Sequence, residues 1–259
     1  MFLSPKTAFW RIDNMFRLLK ALPIMLAVAA LSLIATGCGS NQAHIRVVNA
    51  IPNSDLDVDF NSTKVVSSIS FGNVQPTTPP AQYLSVASGT VGIQAYVAGS
   101  TTSPIFGANP ITSPLGGSND YTVVLYGTLL GTNTATAFVV QDDNTAPTTG
   151  NVEFRVINAS YTTPGSVDVY LIPPNTNIGG SVIPQISGLA QTQGSSYQSL
   201  TYPGTTGVSV VVTLHGSTTP LFPGVTYDPP TGAIFTVVLY DNESGNGMNP
   251  TPLVLQDID

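Results

Sequence analysis

The chain has 259 residues, with 7 basic and 14 acidic side chains, one Cys and one Trp. Only 8% of its residues are charged, against roughly 25% in an average soluble domain, so Thr, Ser, Asn and Gln must wet most of the surface. The net charge of −7 and the scarcity of cations exclude a polyanion-binding surface, and a single Cys excludes an intrachain disulfide.

Residues 1–37 read as an export signal of the lipoprotein type. Lys6, Arg11, Arg17 and Lys20 precede an apolar run from Ala21 to Gly37, the order of a basic lead followed by an apolar core. Met15 offers an alternative start to Met1, because Met15-Phe16-Arg17-Leu18-Leu19-Lys20 is a more ordinary opening. Ala35-Thr36-Gly37-Cys38 resembles the lipobox of bacterial lipoproteins, with Ala35 where Leu is commoner. That resemblance implies cleavage before Cys38 and diacylation of its sulfur, so that the chain meets the membrane through lipid. Gly39, rather than Asp, after Cys38 resembles the signal for transit to the outer membrane. The expected location is therefore the bacterial cell envelope, at the outer membrane or cell surface. An uncleaved membrane helix and an ordinary cleaved signal are the alternatives; the run is at the short limit for spanning, and Pro23 sits near its start.

Cleavage removes four of the seven basic residues and one of the fourteen acidic ones. Three and thirteen remain, a net charge of about −10 before His is counted. Three cations do not neutralise a run of phosphates, so nucleic acid is not an expected partner.

After a tether over residues 38–43, the chain uses one pattern twice. Ile45-Arg46-Val47-Val48-Asn49-Ala50 returns as Phe154-Arg155-Val156-Ile157-Asn158-Ala159. Leu56-Asp57-Val58-Asp59-Phe60 answers to Val167-Asp168-Val169-Tyr170-Leu171, and Tyr121 to Gly127 answers to Phe235 to Asp241. Val139-Val140-Gln141-Asp142 answers to Val254-Leu255-Gln256-Asp257. Four matches in the same order are the mark of a tandem duplication. They predict a first unit over 44–143, a linker over 144–150 with Pro147 and Gly150, and a second unit over 151–259.

Both units read as β throughout. Leu56, Val58 and Phe60 alternate with Asp57 and Asp59, and Val91, Ile93, Ala95 and Val97 alternate likewise, the period of a strand with one wet face. Val208 to Leu214 and Thr236 to Leu239 are continuous apolar or β-branched runs, which predicts strands covered on both faces. Roughly seven or eight short strands per unit, punctuated by Gly and Pro, predict two tandem Ig-like antiparallel β-sandwich domains.

Arg-Val-x-Asn-Ala, then Val-Asp-Val-Tyr, then a Tyr-Thr-Val-Val-Leu strand together resemble the bacterial domain-of-unknown-function 4397 family. The likeness spans nearly all of residues 44–259, and the first copy departs from it with Asp59 where the second has Tyr170. It implies an exported protein, often a lipoprotein with tandem copies, and brings no catalytic residue with it.

The remaining residues suggest structure before chemistry. If the first two strands of each unit pair, Arg46 faces Asp57 and Arg155 faces Asp168, which predicts two structural cross-strand ion pairs. Asp142, Asp143 and Asn144, entering the linker, are calcium candidates, as are Asp55, Asp57 and Asp59 along one strand; no other metal is expected. His44 and His215 are the only histidines, too few and too isolated for zinc. No Gly-x-Ser-x-Gly elbow is present, and no catalytic residue or cofactor is expected. Tyr161, Tyr202 and Tyr227 stand in loop-like stretches where a phenol could anchor a partner. The expected function is a non-catalytic binding or interaction module for a protein or glycan. A structural spacer of the envelope and a carboxylate-dependent hydrolase are the alternatives.

Overall fold

A computed structural model of the chain describes residues 41–77, 82–179, 181–201, 207–249 and 251–258. The signal segment, Cys38 and Tyr202 lie outside the described residues. Residues from Asn41 onward belong to one compact unit. All regular structure in the described residues is β, and no helix among them is long and apolar enough to cross a membrane.

Eighteen strands among the described residues form two sandwiches. The first holds β1 (Gln42–Asn49), β2 (Asp55–Phe60), β3 (Thr63–Ser70), β4 (Val74–Gln75), β5 (Leu84–Ala87), β6 (Gly89–Val97), β7 (Ile111–Leu115), β8 (Asp120–Tyr126) and β9 (Thr136–Asp142). The second holds β10 (Asn151–Ala159), β11 (Val167–Ile172), β12 (Ile186–Leu189), β13 (Gln193–Gly194), β14 (Gln198–Thr201), β15 (Val208–Leu214), β16 (Val225–Tyr227), β17 (Ile234–Tyr240) and β18 (Leu253–Ile258).

The two sandwiches have the same topology. One sheet of the first runs β4-β1-β8-β9, with β5 continuing β4 along the edge of β1; the other runs β3-β2-β6-β7. The second sandwich repeats this as β13-β10-β17-β18, with β14 beside β13, and β12-β11-β15-β16. One pair in each sandwich departs from the all-antiparallel expectation: β1 runs parallel to β8, and β10 to β17. A parallel pair needs a long crossover, and here most of a sandwich lies between the two strands.

Period-two alternation explains the layers. Ile45 and Val47 of β1, with Tyr121, Val123 and Leu125 of β8, point into the core of the first sandwich. Phe154 and Val156, with Phe235, Val237 and Leu239, do the same in the second. The opposite faces are not wet. Val48, Ala50, Val124 and Tyr126 pack with Ile157, Ala159, Val238, Tyr240 and Leu255 in a third apolar cluster. The β1 and β10 sheets therefore meet through their outer faces. Continuous burial along β17 follows from being covered on both sides. β15 is covered likewise, because Val211 packs outward with Tyr170, Ile172 and Ile178.

Candidate functional site: a buried arginine pair between the sandwiches

Arg46 and Arg155 sit on the outward faces of β1 and β10, one residue pair before the apolar part of the joint. In the parallel register Arg46 lies beside Thr122 of β8, and Arg155 beside Thr236 of β17. Each Nε donates to that threonine hydroxyl, at 2.8 Å and 3.0 Å. The hydroxyls pass the contact on: Thr122 donates to Asp142 at 2.9 Å and Thr236 to Asp257 at 2.7 Å.

The ion pairs cross the joint. Arg46 Nη2 reaches Asp257 of the second sandwich at 2.6 Å and Asp142 of its own at 3.2 Å. Arg155 Nη2 meets Asp142 of the first sandwich, and its Nη1 donates to the Gln141 carbonyl at 2.8 Å. All four side chains are at most 3% exposed. Two guanidinium groups face two carboxylates, so the buried charge sums to zero, which such burial requires.

Two tyrosines close the ends of the cluster. Tyr83 donates to Asp142 at 2.7 Å, and Tyr197 to Asp257 at 2.8 Å. Their rings also lie over the guanidinium carbons, at 5.3 Å for Arg46 on Tyr83 and 4.9 Å for Arg155 on Tyr197. Burial raises both phenols well above their ordinary pKa, so each remains a proton donor. Burial alone would lower the Arg46 pKa, but the charges of Asp257 and Asp142 outweigh it and raise the value.

The predicted pairs of Arg46 with Asp57 and of Arg155 with Asp168 do not form. β1 and β2 lie in different sheets, as do β10 and β11, so the two side chains of each expected pair leave on opposite sides of a core. Asp57 and Asp168 instead hold backbone. Asp57 accepts from the amides of Ser68 and Gly99 and pairs with Lys64 at 2.6 Å. Asp168 accepts from the amides of Gly188 and Gly216 and contacts His215 Nδ1 at 2.8 Å. Ser68, Gly188, Gly99 and Gly216 all have positive φ, so each aspartate fixes a bulge and a turn at their most irregular points. Ser187 Oγ donates to Asp168, at 3.0 Å, to the same oxygen that His215 meets. The serine is thus seated on the acid rather than on the base, which is not the order of a nucleophilic triad.

Burial alone would push the Asp168 carboxyl up, but hydrogen bonds from His215, Gly216, Gly188 and Ser187 bring it down to about 2, from an ordinary 3.8. A depressed folded value stabilises the fold above the unfolded value and loses that contribution as pH falls through the folded one. Stability is therefore expected to drop between about pH 4 and pH 2, with a smaller drop in Asp168→Ala. At neutral pH that variant should lose about 1–3 kcal/mol, because two part-buried amides lose a charged acceptor; denaturant melts of both proteins across pH measure it.

The calcium candidates do not converge. Asp142 turns inward to the arginines. Asp143 is exposed and accepts from the Thr145 amide, while Asn144 Nδ2 donates to Asp120 at 2.6 Å. Asp57 is committed to its bulge and to Lys64. Among the described residues no three His, Cys, Asp or Glu gather as a metal cage. Tyr161 is partly exposed and sits edge-on to Tyr126 across the joint; Tyr227 is half-buried against the second core.

Sequence reasoning did not assign the partners of the arginines. The signal was present: Gln141-Asp142 and Gln256-Asp257 match each other at the unit ends, and Tyr83 and Tyr197 both stand two residues before a Ser. Asp241 opens a stretch to Gly247 whose acidic and Gly residues read as a β-turn region without the EF-hand order. Asp241 itself is buried, and it accepts from the Tyr161 and Thr162 amides and from the Ser160 and Thr162 hydroxyls.

A family model described as Domain of unknown function (DUF4397) matches residues 43–170, from β1 into β11. A search of curated proteins found no match to the chain.

Proposed function

The chain belongs to the DUF4397 family through residues 43–170, and from that premise we propose an exported, lipid-anchored protein of the bacterial cell envelope, built by tandem duplication, that acts as a non-catalytic binding body for a protein or glycan. The observation that carries this reading is where the polar chemistry goes. The chain has three basic residues beyond Cys38: Arg46, Lys64 and Arg155. Two are sealed in the joint and the third is tied to Asp57. The acids with buried side chains are spent the same way, on guanidinium groups, bulges and loops. Apart from Lys64, what faces solvent is neutral or acidic, rich in hydroxyl and amide groups, and suited to neutral hydrogen-bonded contacts at loops. Face-to-face packing of the two sandwiches counts against a simple spacer, which gains reach only from domains strung end to end.

Two experiments separate location from activity. Cells given an alkynyl palmitate should label the wild-type chain in the membrane fraction, and Cys38→Ala should lose the label and leave that fraction. Lipidated protein used as bait in envelope extract should enrich a protein or a glycan over a bait with scrambled loops. Repeated failure to enrich either one overturns the binding reading.

A further inference from the structure

We propose that the joint face of the first sandwich is self-complementary, and that it fits the same face of a second copy of this chain whenever the joint within one chain is open. Strand pairing makes the two joint faces equivalent position by position. Arg46, Thr122, Asp142 and Tyr83 occupy the places that Arg155, Thr236, Asp257 and Tyr197 occupy in the second sandwich. The ion pairs cross in both directions, Arg46 to Asp257 and Arg155 to Asp142. That reciprocity, in which one residue meets another and its counterpart returns the contact, is the signature of a two-fold interface between identical surfaces. Two first sandwiches set face to face would present Arg46 to Asp142 of the second copy twice over, with the same chemistry and the same zero net charge.

Sterics choose between the sandwiches. Val48 pairs with Val74 and Ile157 with Gly194, so Val74 and Gly194 are counterparts. A Cβ at Gly194 would come within 2.7 Å of a Val140 methyl, so the second face has a hollow there that Val140 fills. Two second sandwiches would bring Leu255, the larger counterpart of Val140, against that hollow. Two first sandwiches would bring Val140 against Val74, and Val74 already packs in the layer that holds Leu255. The first face is the one that accepts its own copy.

Each sandwich has its own closed core, so opening the joint leaves two folded bodies. Arg155→Asp in the full chain does this by setting a new carboxylate against that of Asp142. We expect R155D to double its molar mass by light scattering while the wild type stays monomeric, and we expect the double variant R46D/R155D to return to a monomer with unchanged far-UV circular dichroism. A folded R155D that stays monomeric up to its solubility limit overturns the proposal, and so does a dimer that survives in R46D/R155D. If R155D does not fold, Gly194→Val wedges the joint open sterically with all four charges in place and should dimerise in the same way. A monomer there, or loss of the fold in both variants, removes the independent sandwiches on which the proposal stands.

Discussion

Arg46→Met is expected to lower the stability of the chain by about 3–5 kcal/mol, the cost of leaving one carboxylate buried without its cation. The loss falls on Asp257. Arg46 Nη2 is the cation that faces it, at 2.6 Å; Thr236 and Tyr197 remain as donors, but neither carries charge. Asp142 keeps Arg155, so the cluster goes from neutral to one net negative charge in a space with almost no solvent. Met keeps most of the stem volume, so a cavity adds little. The protein has one way to relax, which is to open the joint and let water reach Asp257. That route should divide the single unfolding transition expected of the wild type into two, because the sandwiches then melt apart. Urea titrations followed by circular dichroism read both quantities. Lys64→Met is the control: its pair with Asp57 is half-exposed on the lysine side, and an exposed pair contributes about 0–1 kcal/mol. Equal losses in the two variants would show that the buried cluster has no special weight.

Much of the fold was legible because the polar and apolar periods in the strands are plain. Leu56, Val58 and Phe60 go inward as their alternation predicts, and the runs at Val208 and Thr236 lie in strands covered on both faces. What alternation does not encode is which sheet the next strand joins. Arg46 and Asp57 are eleven positions apart in sequence, a separation that suits a hairpin as well as a crossing between sheets. A hairpin pairs Arg46 with Asp57, whereas the crossing sends the two to opposite sides of the core. The outward faces held a clue. Val48, Val124, Ile157 and Val238 are apolar where a solvated sheet would be polar, and an apolar outer face needs a partner. Taken with an arginine at the same place in each copy, that face implied a joint between the copies. Asp142 and Asp257 then follow as the only matched acids on the closing strands. The bulges at Ser68 and Gly188 had no such signal, since a bulge adds one residue without changing the composition around it.

Replacing the whole cluster, in contrast to breaking it, should be neutral or stabilising by about 1–4 kcal/mol, because apolar side chains carry no desolvation cost into the joint. The full set is Arg46→Met, Arg155→Met, Asp142→Leu, Asp257→Leu, Tyr83→Phe, Tyr197→Phe, Thr122→Val and Thr236→Val. The last four matter, since hydroxyls left behind would lose their carboxylate acceptors and cost about 1–3 kcal/mol each. The variant would then join the apolar cluster of Val48, Val124, Ile157 and Val238 into one continuous oily face. Such a face no longer has Arg-to-Asp crossing to fix its register, and a single buried polar pair is known to set register where apolar packing alone does not. We therefore expect higher stability in urea together with mixed oligomers by light scattering, where the wild type gives one species. A large loss of stability in this variant would mean that the crossed arginines hold the sandwiches together by their own net attraction. A stable variant that remains a single species would mean that the Val and Ile contacts alone set the alignment.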